Sequence, residues 1–247
     1  MTGASRGIGA AIVTALAPTC DFLLAARSVE ALEGVAAAAT AAGARIHGSF
    51  GVALEDPAAL AAFAAEVAGA SVDILVCNAG VAPSASLAKT DDDTWRRVMA
   101  INLDAPFVLS RAIVPAMAKR GWGRVVHIAS TAAIKGYRYT AAYSASKGGL
   151  VALMRATAAE VAGTGVTANA VCPGFVDTDI VADAVAKISK LTGRDPSAAR
   201  SDLAGFSPQG RLVGADEVAA MVAYLVSEAA GAVNGQALAL DGGETTL

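Results

Sequence analysis

The chain has 247 residues and a formal net charge of −3, with 55% hydrophobic and 17% charged residues. This length suits one α/β domain with a large core, and the slightly acidic balance without a run of basic residues argues against nucleic acid as a partner. Three widely spaced cysteines, no secretory leader pattern and no uninterrupted apolar stretch of membrane-spanning length predict a soluble, cytoplasmic protein.

The chain begins with a glycine-rich turn, Thr2-Gly3-Ala4-Ser5-Arg6-Gly7-Ile8-Gly9, that leads into an apolar helix. Glycines let a backbone bend sharply and approach a ligand, and the N–H groups of a helix start can bind a pyrophosphate. Taken alone, the pattern is equally typical of an ordinary tight turn. In a nucleotide-binding sheet such a turn follows a central strand. Because the turn begins at Thr2, we expect a native upstream segment to supply that strand.

Short apolar runs alternate with alanine-rich segments of helical period along the rest of the chain. The predicted strands are Asp21–Ala26, Arg45–Phe50, Asp73–Cys77, Arg124–Ile128, Thr167–Val171 and Gln236–Leu240. The predicted helices are Glu30–Ala42, Pro57–Ala68, Thr94–Met117 (broken or bent near Pro106), Ala141–Ala162 and Ala215–Val226. This alternation predicts a single α/β domain over residues 1–247, with a doubly wound parallel sheet of Rossmann type and helices on both faces. The more polar stretch 179–206 is predicted to be a helical excursion or a substrate lid rather than part of the sheet.

The helix Ala141–Ala162 carries two polar residues of chemical interest. Its predicted buried stripe consists of Leu150, Leu153, Met154, Thr157 and Val161. Tyr143 and Lys147 stand apart from this stripe and, four residues apart, share one face. Because a nearby ammonium lowers the pKa of a phenol from about 10, Tyr143 is predicted to donate a proton in reduction and accept one in oxidation. Ser130, just beyond a predicted strand, can donate to a carbonyl oxygen.

Several motifs follow one another in a fixed order. They are the glycine turn, Cys77-Asn78-Ala79-Gly80, Asn102, Ser130, the Tyr143/Lys147 pair and the run from Pro173 to Thr178. This order resembles the short-chain dehydrogenase/reductase family, whose TGxxxGxG turn and NNAG segment are matched except that Cys77 replaces the first Asn. The resemblance covers essentially the whole chain. It implies an oxidoreductase that binds a nicotinamide cofactor and a small carbonyl or alcohol substrate.

The resemblance also implies roles for individual residues. The implied catalytic residues are Asn102, Ser130, Tyr143 and Lys147. The implied cofactor contacts are Gly3, Ser5, Arg6, Gly7, Ile8, Gly9, Arg27, Asn78, Ala79, Gly80, Tyr143, Lys147, Pro173, Gly174, Val176 and Thr178. Lys147 is expected to hold the nicotinamide ribose, and the backbone carbonyl of Asn102 is expected to hold a water linked to Lys147.

The choice of cofactor depends on the end of the strand Asp21–Ala26. A site for NAD places an acid there, whereas a 2′-phosphate requires cations. This chain has Arg27 and no acid, and Arg6 of the glycine turn can approach from the other side. The pair favours NADP(H), although each arginine also reads as an ordinary surface residue. The family's acid that holds the adenine is missing, and Glu55 or Asp56 are its available substitutes.

The leading hypothesis is an NADP(H)-dependent reductase of ketones similar to 3-oxoacyl and polyketide ketoreductases, acting on a 3-oxoacyl thioester. The alternatives are an alcohol or hydroxyacyl dehydrogenase working oxidatively and a non-catalytic NADP(H) sensor. Ser144 to Lys147 also form an SxxK motif of acyl transferases, but the SDN and KTG partners of that motif are absent. His47 and His127 are each interpreted as a structural or surface residue rather than a catalyst, and no metal site is predicted. The family implies a homotetramer.

Overall fold

The computed structural model describes residues 1–246 and contains all six predicted strands. They are β1 (Phe22–Ala26), β2 (Ile46–Gly51), β3 (Ile74–Cys77), β4 (Gly123–Ile128), β5 (Val166–Pro173) and β6 (Ala237–Leu240). Within residues 1–246 the α-helices are α1 (Gly7–Leu16), α2 (Glu33–Ala41), α3 (Pro57–Gly69), α4 (Asp92–Met99), α5 (Ala105–Arg120), α6 (Ala141–Glu160), α7 (Asp179–Thr192), α8 (Pro196–Ala204) and α9 (Ala215–Val226). Element types therefore agree with the sequence prediction, and the ends differ by a few residues.

All strand pairings are parallel. Strand β1 pairs with β2, and β3, β4, β5 and β6 pair in that order. Helices cover both faces, so the predicted doubly wound, Rossmann-type sheet is confirmed. Every residue of β4 and β5 is buried. Because both faces of these strands are buried, their sequences do not alternate between buried apolar and exposed polar residues.

The first residues of the chain lie in the middle of the sheet. Thr2 forms isolated parallel bridges to Ala25 of β1 and Cys77 of β3. Its amide donates to the carbonyl of Val76 at 3.1 Å, while the amide of Ala25 donates to the carbonyl of Met1 at 2.9 Å. Met1 and Thr2 thus occupy the position that a central strand takes in this architecture, and they place the glycine turn at the carboxyl edge of the sheet.

Two hydrophobic cores lie on opposite faces of the sheet. One contains residues from α3, α5 and α6, including Leu109, Met117 and Met154. The other contains residues from α1, α2 and α9, including Ile12 and Leu225. Each helix contributes one apolar stripe, and the sheet supplies the facing apolar surface. The helices that carry site residues, α1 and α6, therefore rest on opposite faces.

The predicted helix Thr94–Met117 is divided into α4 and α5 by a wide π-helical turn, Ala100–Asp104. The bend precedes Pro106, which occupies the first turn of α5, where an amide hydrogen is not needed for the helix. Such wide turns commonly accompany functional sites because they redirect side chains. Here the turn contains Asn102, one of the predicted site residues.

The helical run from Asp92 to Arg120 is long and apolar enough, by length and composition alone, to cross a membrane. Half of its most apolar window is buried inside the molecule. Leu109, Ile113 and Met117 pack into the core beside the sheet. This burial is typical of the core helix of a globular protein.

The buried face of α6 differs from the predicted stripe. Leu150, Met154 and Val161 are buried as expected, but Leu153 and Thr157 are only half-buried. Lys147, which was predicted to stand apart from the stripe, is 4% exposed. That expectation was wrong because α6 packs against the end of β5 and the turn after β4 as well as against the apolar core.

The stretch 179–206 folds into α7 and α8, joined by a small core of their own that contains Val181, Val185, Ala199 and Leu203. Phe175, directly after β5, packs against this core. The helical character of the segment agrees with the sequence prediction. Its action as a lid stays a prediction.

Candidate active site

The glycine turn is held in a shape that other residues would not allow. Gly3 and Gly7 have φ values of +65° and +52°, a region that side chains disfavour. A Cβ on Gly9 would overlap the carbonyl oxygen of Gly3. The side-chain amide of Asn78 donates to the Gly3 carbonyl at 2.8 Å and to the Thr2 carbonyl at 3.2 Å. Asn78 therefore fixes the turn, in addition to any contact with a ligand.

The start of α1 is free to bind an anion. Arg6 is the N-cap residue, and its side chain makes no capping hydrogen bond. The first turn of α1 contains no acidic residue. The amide hydrogens of this turn lack helical partners and carry the positive end of the helix dipole, which together suit a phosphate group.

A pocket of about 460 Å³ adjoins this helix start and is lined by Ser5, Arg6, Arg27, Ser28 and Ala31. Arg27 is exposed, and Arg6 forms an ion pair with Asp179 of α7, with its Nη1 atom 2.7 Å from the carboxylate. The structure therefore brings the two predicted phosphate-binding arginines to one pocket. None of the lining residues is acidic.

We expect Gly9→Ala to lower the free energy of unfolding by about 2 kcal/mol and to weaken NADPH binding, because the added methyl group must displace the Gly3 carbonyl. Gly34→Ala is the matched control, since its Cβ would point into open space on α2 and should stabilise the helix by about 1 kcal/mol. Urea unfolding and NADPH fluorescence titration measure both effects. Equal stability and affinity of Gly9→Ala and the wild type would contradict this role of the turn.

Three predicted catalytic side chains meet at the carboxyl end of β4. Ser130 starts a short helical turn over Thr131–Ala133, and its Oγ accepts a hydrogen bond from the Ala132 amide at 3.1 Å. Nζ of Lys147 donates to the carbonyl of Ile128, the last residue of β4, at 2.7 Å. The same Nζ lies 5.8 Å from the ring centre of Tyr143.

Asn102 is fully buried beside this group. Its Oδ1 accepts from the Val81 amide at 2.9 Å, and its Nδ2 donates to the Val81 carbonyl at 2.9 Å and to Oγ of Ser146 at 3.0 Å. A Cβ on Gly80 would lie 3.3 Å from Asn102 Oδ1 and 3.4 Å from Lys147 Nζ. Asn102 thus joins the segment after β3 to α6. The sequence interpretation considered only its backbone carbonyl and missed Ser146, whose position before Lys147 on the same helix was the available signal.

Burial dominates the electrostatics of the pair on α6. It raises the pKa of the Tyr143 phenol, a shift that the neighbouring Ser130 side chain opposes. It lowers the pKa of Lys147 to about 8, against the smaller raising effects of Cys172 and Cys77. The net shift of the Tyr143 pKa is opposite to the one expected from Lys147, because the loss of solvation outweighs the lowering effect of the hydrogen bond with Ser130.

The predicted contacts after β5 surround the same edge. Pro173 ends β5, the Gly174 amide donates to the Leu240 carbonyl at 3.1 Å, and Val176 forms a bridge to Val213. Thr178 is the N-cap residue of α7. A Cβ on Gly7 would lie 3.3 Å from Cγ2 of Thr178, so the structure brings Thr178 directly against the glycine turn.

The two acids that were offered as adenine contacts have other partners. Asp56 caps α3 by accepting from the amides of Ala58 and Ala59. Glu55 lies 3.5 Å from Arg97. The way in which an adenine would be held is therefore not explained by either carboxylate.

Neither histidine is among the predicted catalytic residues, although His127 precedes Ile128, the residue whose carbonyl Lys147 contacts. His47 is exposed and 3.3 Å from Asp21. His127 is fully buried in β4, and burial lowers its pKa to about 4, so it stays neutral at pH 7. Across residues 1–246, no group of three or more His, Cys, Asp or Glu side chains is placed to hold a metal ion.

An aromatic cluster beside Ser130 was missed by the sequence interpretation. Its members are Tyr137, Phe175 and Phe206, with ring centres 5.2 to 6.2 Å apart. They come from the turn region after β4, the end of β5 and the end of α8. No local spacing connects these three segments, so only their packing reveals the cluster.

Comparisons with known proteins agree with this geometry. A family model described as "short chain dehydrogenase" matches residues 1–189. The chain is 38% identical to the galactitol 2-dehydrogenase (L-tagatose-forming) of Cereibacter sphaeroides, over 99% of this chain and 93% of that protein. It is 34% identical to the 3-oxoacyl-[acyl-carrier-protein] reductase of Escherichia coli (strain K12), over 98% and 95% of the two chains.

A solved structure of an actinorhodin polyketide ketoreductase variant with NADPH superposes with a TM-score of 0.91. Its sequence is 34% identical, and the match covers 100% of this chain and 96% of that one. The similarity therefore extends over the glycine turn, the group around Ser130 and the segment 179–206.

Proposed function

Because the chain belongs to the short-chain dehydrogenase family of oxidoreductases, we propose that it is an NADP(H)-dependent reductase of ketones. The observation that carries the proposal is the meeting of Ser130, Tyr143 and Lys147 at the carboxyl end of β4. Gly80, close to Lys147 Nζ, connects this group to the strand beside the glycine turn. A dinucleotide on the turn would thus have its nicotinamide end beside Tyr143.

The residues present fit an NADP(H) molecule. The positive φ values of Gly3 and Gly7 shape the turn in front of α1, and the start of α1 offers uncapped amides for the pyrophosphate. The acid-free pocket with Arg6 and Arg27 suits a 2′-phosphate. The bound NADPH reported for the actinorhodin ketoreductase variant supports the same choice. When bound, the cofactor supplies the hydride in reduction and accepts it in oxidation.

The protein's own residues manage the oxygen and the proton. The Ser130 hydroxyl is placed to donate a hydrogen bond to the substrate oxygen, which stabilises negative charge as it develops. Tyr143, kept in its phenol form by burial, donates its proton to that oxygen. Lys147 holds a ribose hydroxyl and favours the phenolate that remains after proton transfer. Asn102 keeps α6 in position through Ser146.

The proposed substrate is a 3-oxoacyl thioester, as the name of the Escherichia coli relative suggests. The second candidate is an alcohol dehydrogenase working oxidatively, which the galactitol dehydrogenase favours. A non-catalytic NADP(H) sensor is less consistent with a complete Ser130, Tyr143 and Lys147 group. The cytoplasmic location, the homotetramer and the lid 179–206 stay predictions.

The deciding experiment follows nicotinamide absorbance with NADPH or NADH and a panel of acetoacetyl thioesters, simple ketones and steroids. A parallel panel tests alcohols and polyols with NADP⁺ or NAD⁺. Reduction of an acetoacetyl thioester with NADPH is the expected result. Oxidation of polyols without thioester reduction would replace the proposal by the second candidate, and NADP(H) binding without turnover of any substrate would favour the sensor.

The cofactor choice makes a prediction of its own. Arg27→Ala is expected to raise the Kd of NADPH about tenfold or more and to leave the Kd of NADH nearly unchanged, because only the phosphate loses a charged donor. Asp179→Asn, which frees Arg6 from its exposed ion pair, is expected to tighten NADPH binding about threefold. Asp183→Asn, on the exposed side of the same helix, is the matched control. Equal losses for NADPH and NADH in Arg27→Ala would contradict the assignment.

A further inference from the structure

A tight turn after β6 directs one carboxylate into the molecule. Asp241 accepts hydrogen bonds from the amides of Gly243 and Thr245, each at 2.9 Å, and from the Thr245 hydroxyl at 2.7 Å. Gly242 and Gly243 adopt φ values of +66° and +95°, which other residues rarely accept. The turn places Glu244 inward, where only 4% of the residue is exposed.

The Glu244 carboxylate has three neighbours from two different segments. Its Oε1 lies 3.2 Å from Nζ of Lys135 and accepts a short hydrogen bond from the hydroxyl of Tyr137. Its Oε2 would be 3.3 Å from a Cβ on Gly174, so the absence of a side chain there permits the close approach. A buried carboxylate is costly unless it is paired and hydrogen-bonded, so this set of partners restrains the geometry strongly.

The contacts continue from Tyr137 to Ser130. The Tyr137 hydroxyl is also 2.8 Å from the Thr131 hydroxyl. A phenol has one hydrogen and an ionised carboxylate can only accept, so Tyr137 donates to Glu244 and is left to accept from Thr131. Thr131 begins the helical turn that Ser130 caps. The chain of contacts thus runs from the carboxylate to the residue next to the proposed oxyanion donor.

The same contact fixes the ring of Tyr137. Its centre lies 6.2 Å from that of Phe175 and 5.9 Å from that of Phe206, both in edge-to-face arrangements. Phe206 follows α8 and is 45% exposed. The hydrogen bond of the Tyr137 hydroxyl therefore fixes the orientation of its ring, and Phe206, at the end of the segment 179–206, packs against that ring.

We propose that Glu244 is a positioning residue. It fixes the position of the Ser130 turn and of the Tyr137 ring relative to the end of β5. It acts through Tyr137 and Thr131. The kinetic consequence rests on the proposed function. The expected loosening of the turn after β4 does not rest on the proposed function, because it depends only on the contacts that hold this turn.

The test compares Glu244→Gln, Tyr137→Phe and the double variant. Each single change keeps the shape and removes the charged acceptor or its donor, so each is expected to lower kcat about tenfold, with little change in the Kd of NADPH, because a displaced Ser130 weakens mainly the transition state. The double variant is expected to lose less than the product of the two single losses, since both changes weaken the contact between Tyr137 and Glu244 while each also removes a contact of its own. Glu228→Gln, which removes an exposed carboxylate partner of Trp122 and Arg124 at the far end of β4 from Ser130, is the matched control.

Hydrogen exchange of residues 130–142 gives a second measure that needs no substrate. The Ala133 and Lys135 amides donate to carbonyls of Ser130 and Thr131, and both should exchange about tenfold faster in Glu244→Gln and Tyr137→Phe but not in Glu228→Gln. Unchanged exchange and kcat in a folded Glu244→Gln, or additive losses in the double variant, would overturn the proposal. Faster exchange in the two variants, together with a wild type that reduces no ketone, would contradict only the proposed function. If Glu244→Gln does not fold, Tyr137→Phe decides by the same measures.

Discussion

Tyr143→Phe is expected to lower kcat for ketone reduction about a thousandfold while the Kd of NADPH stays within about twofold of the wild-type value. The ring and its packing remain, but the phenolic proton is lost, and general acid catalysis contributes on the order of 10² to 10⁴ in rate. Stopped-flow reduction and NADPH fluorescence titration measure the two quantities. Tyr224→Phe, at an exposed position on α9, is the matched control.

The raised pKa of Tyr143 also predicts how the rates of oxidation and reduction depend on pH. Reduction requires the phenol and oxidation the phenolate, so oxidation is expected to accelerate as pH rises while reduction holds its rate through neutral pH. Retention of full activity by Tyr143→Phe would end the proposed mechanism. A loss equal to that of Tyr224→Phe would have the same meaning.

Lys147→Met is expected to have two opposite effects: a loss of activity of about a hundredfold or more, and a gain in stability of about 2 kcal/mol at pH 7 without cofactor. Burial lowers the pKa of Lys147 from 10.5 to about 8, a difference worth about 3 kcal/mol. Losing the hydrogen bond to the Ile128 carbonyl costs about 1 kcal/mol, so the net gain in the free energy of unfolding is about 2 kcal/mol.

The sign of the pH dependence follows from proton binding. Between about pH 8 and 10.5 the unfolded chain holds more protons on Lys147 than the folded protein does, so the wild type gains stability as pH rises through this range. The advantage of Lys147→Met should therefore be complete below about pH 8 and vanish near pH 10. Urea unfolding at several pH values measures it, with Lys119→Met, an exposed lysine of α5, as control. A destabilised Lys147→Met at pH 7 would show that the buried ammonium is well compensated.

Local sequence patterns were sufficient to predict the helices and strands and the relative placement of residues that are near one another in sequence. The strands follow from short apolar runs, and the sharing of one helix face by Tyr143 and Lys147 follows from their spacing of four. The glycine turn could be recognised because its positive φ values demand glycine at particular positions. The family resemblance added the order of the motifs along the chain.

Other features depend on segments that meet only after folding. The width of the turn Ala100–Asp104 could not be read locally, because proline predicts a bend but not a π-helical one. The burial of Lys147 depends on what covers α6, and its lowered pKa depends in turn on that burial. The ion pair between Arg6 and Asp179 joins residues 173 positions apart.

By itself, the sequence determined the α/β class and the alternation of strands and helices, because periodicity and spacing act over a few residues at a time. The family resemblance, not periodicity, brought Asn102 and Ser130 together with Tyr143 and Lys147. Tertiary structure alone decided that burial would govern the pKa values of Tyr143 and Lys147 and that Glu244 would meet Tyr137 beside Ser130. Solvation and long-range contacts depend on everything packed around a group, and no local pattern records that environment.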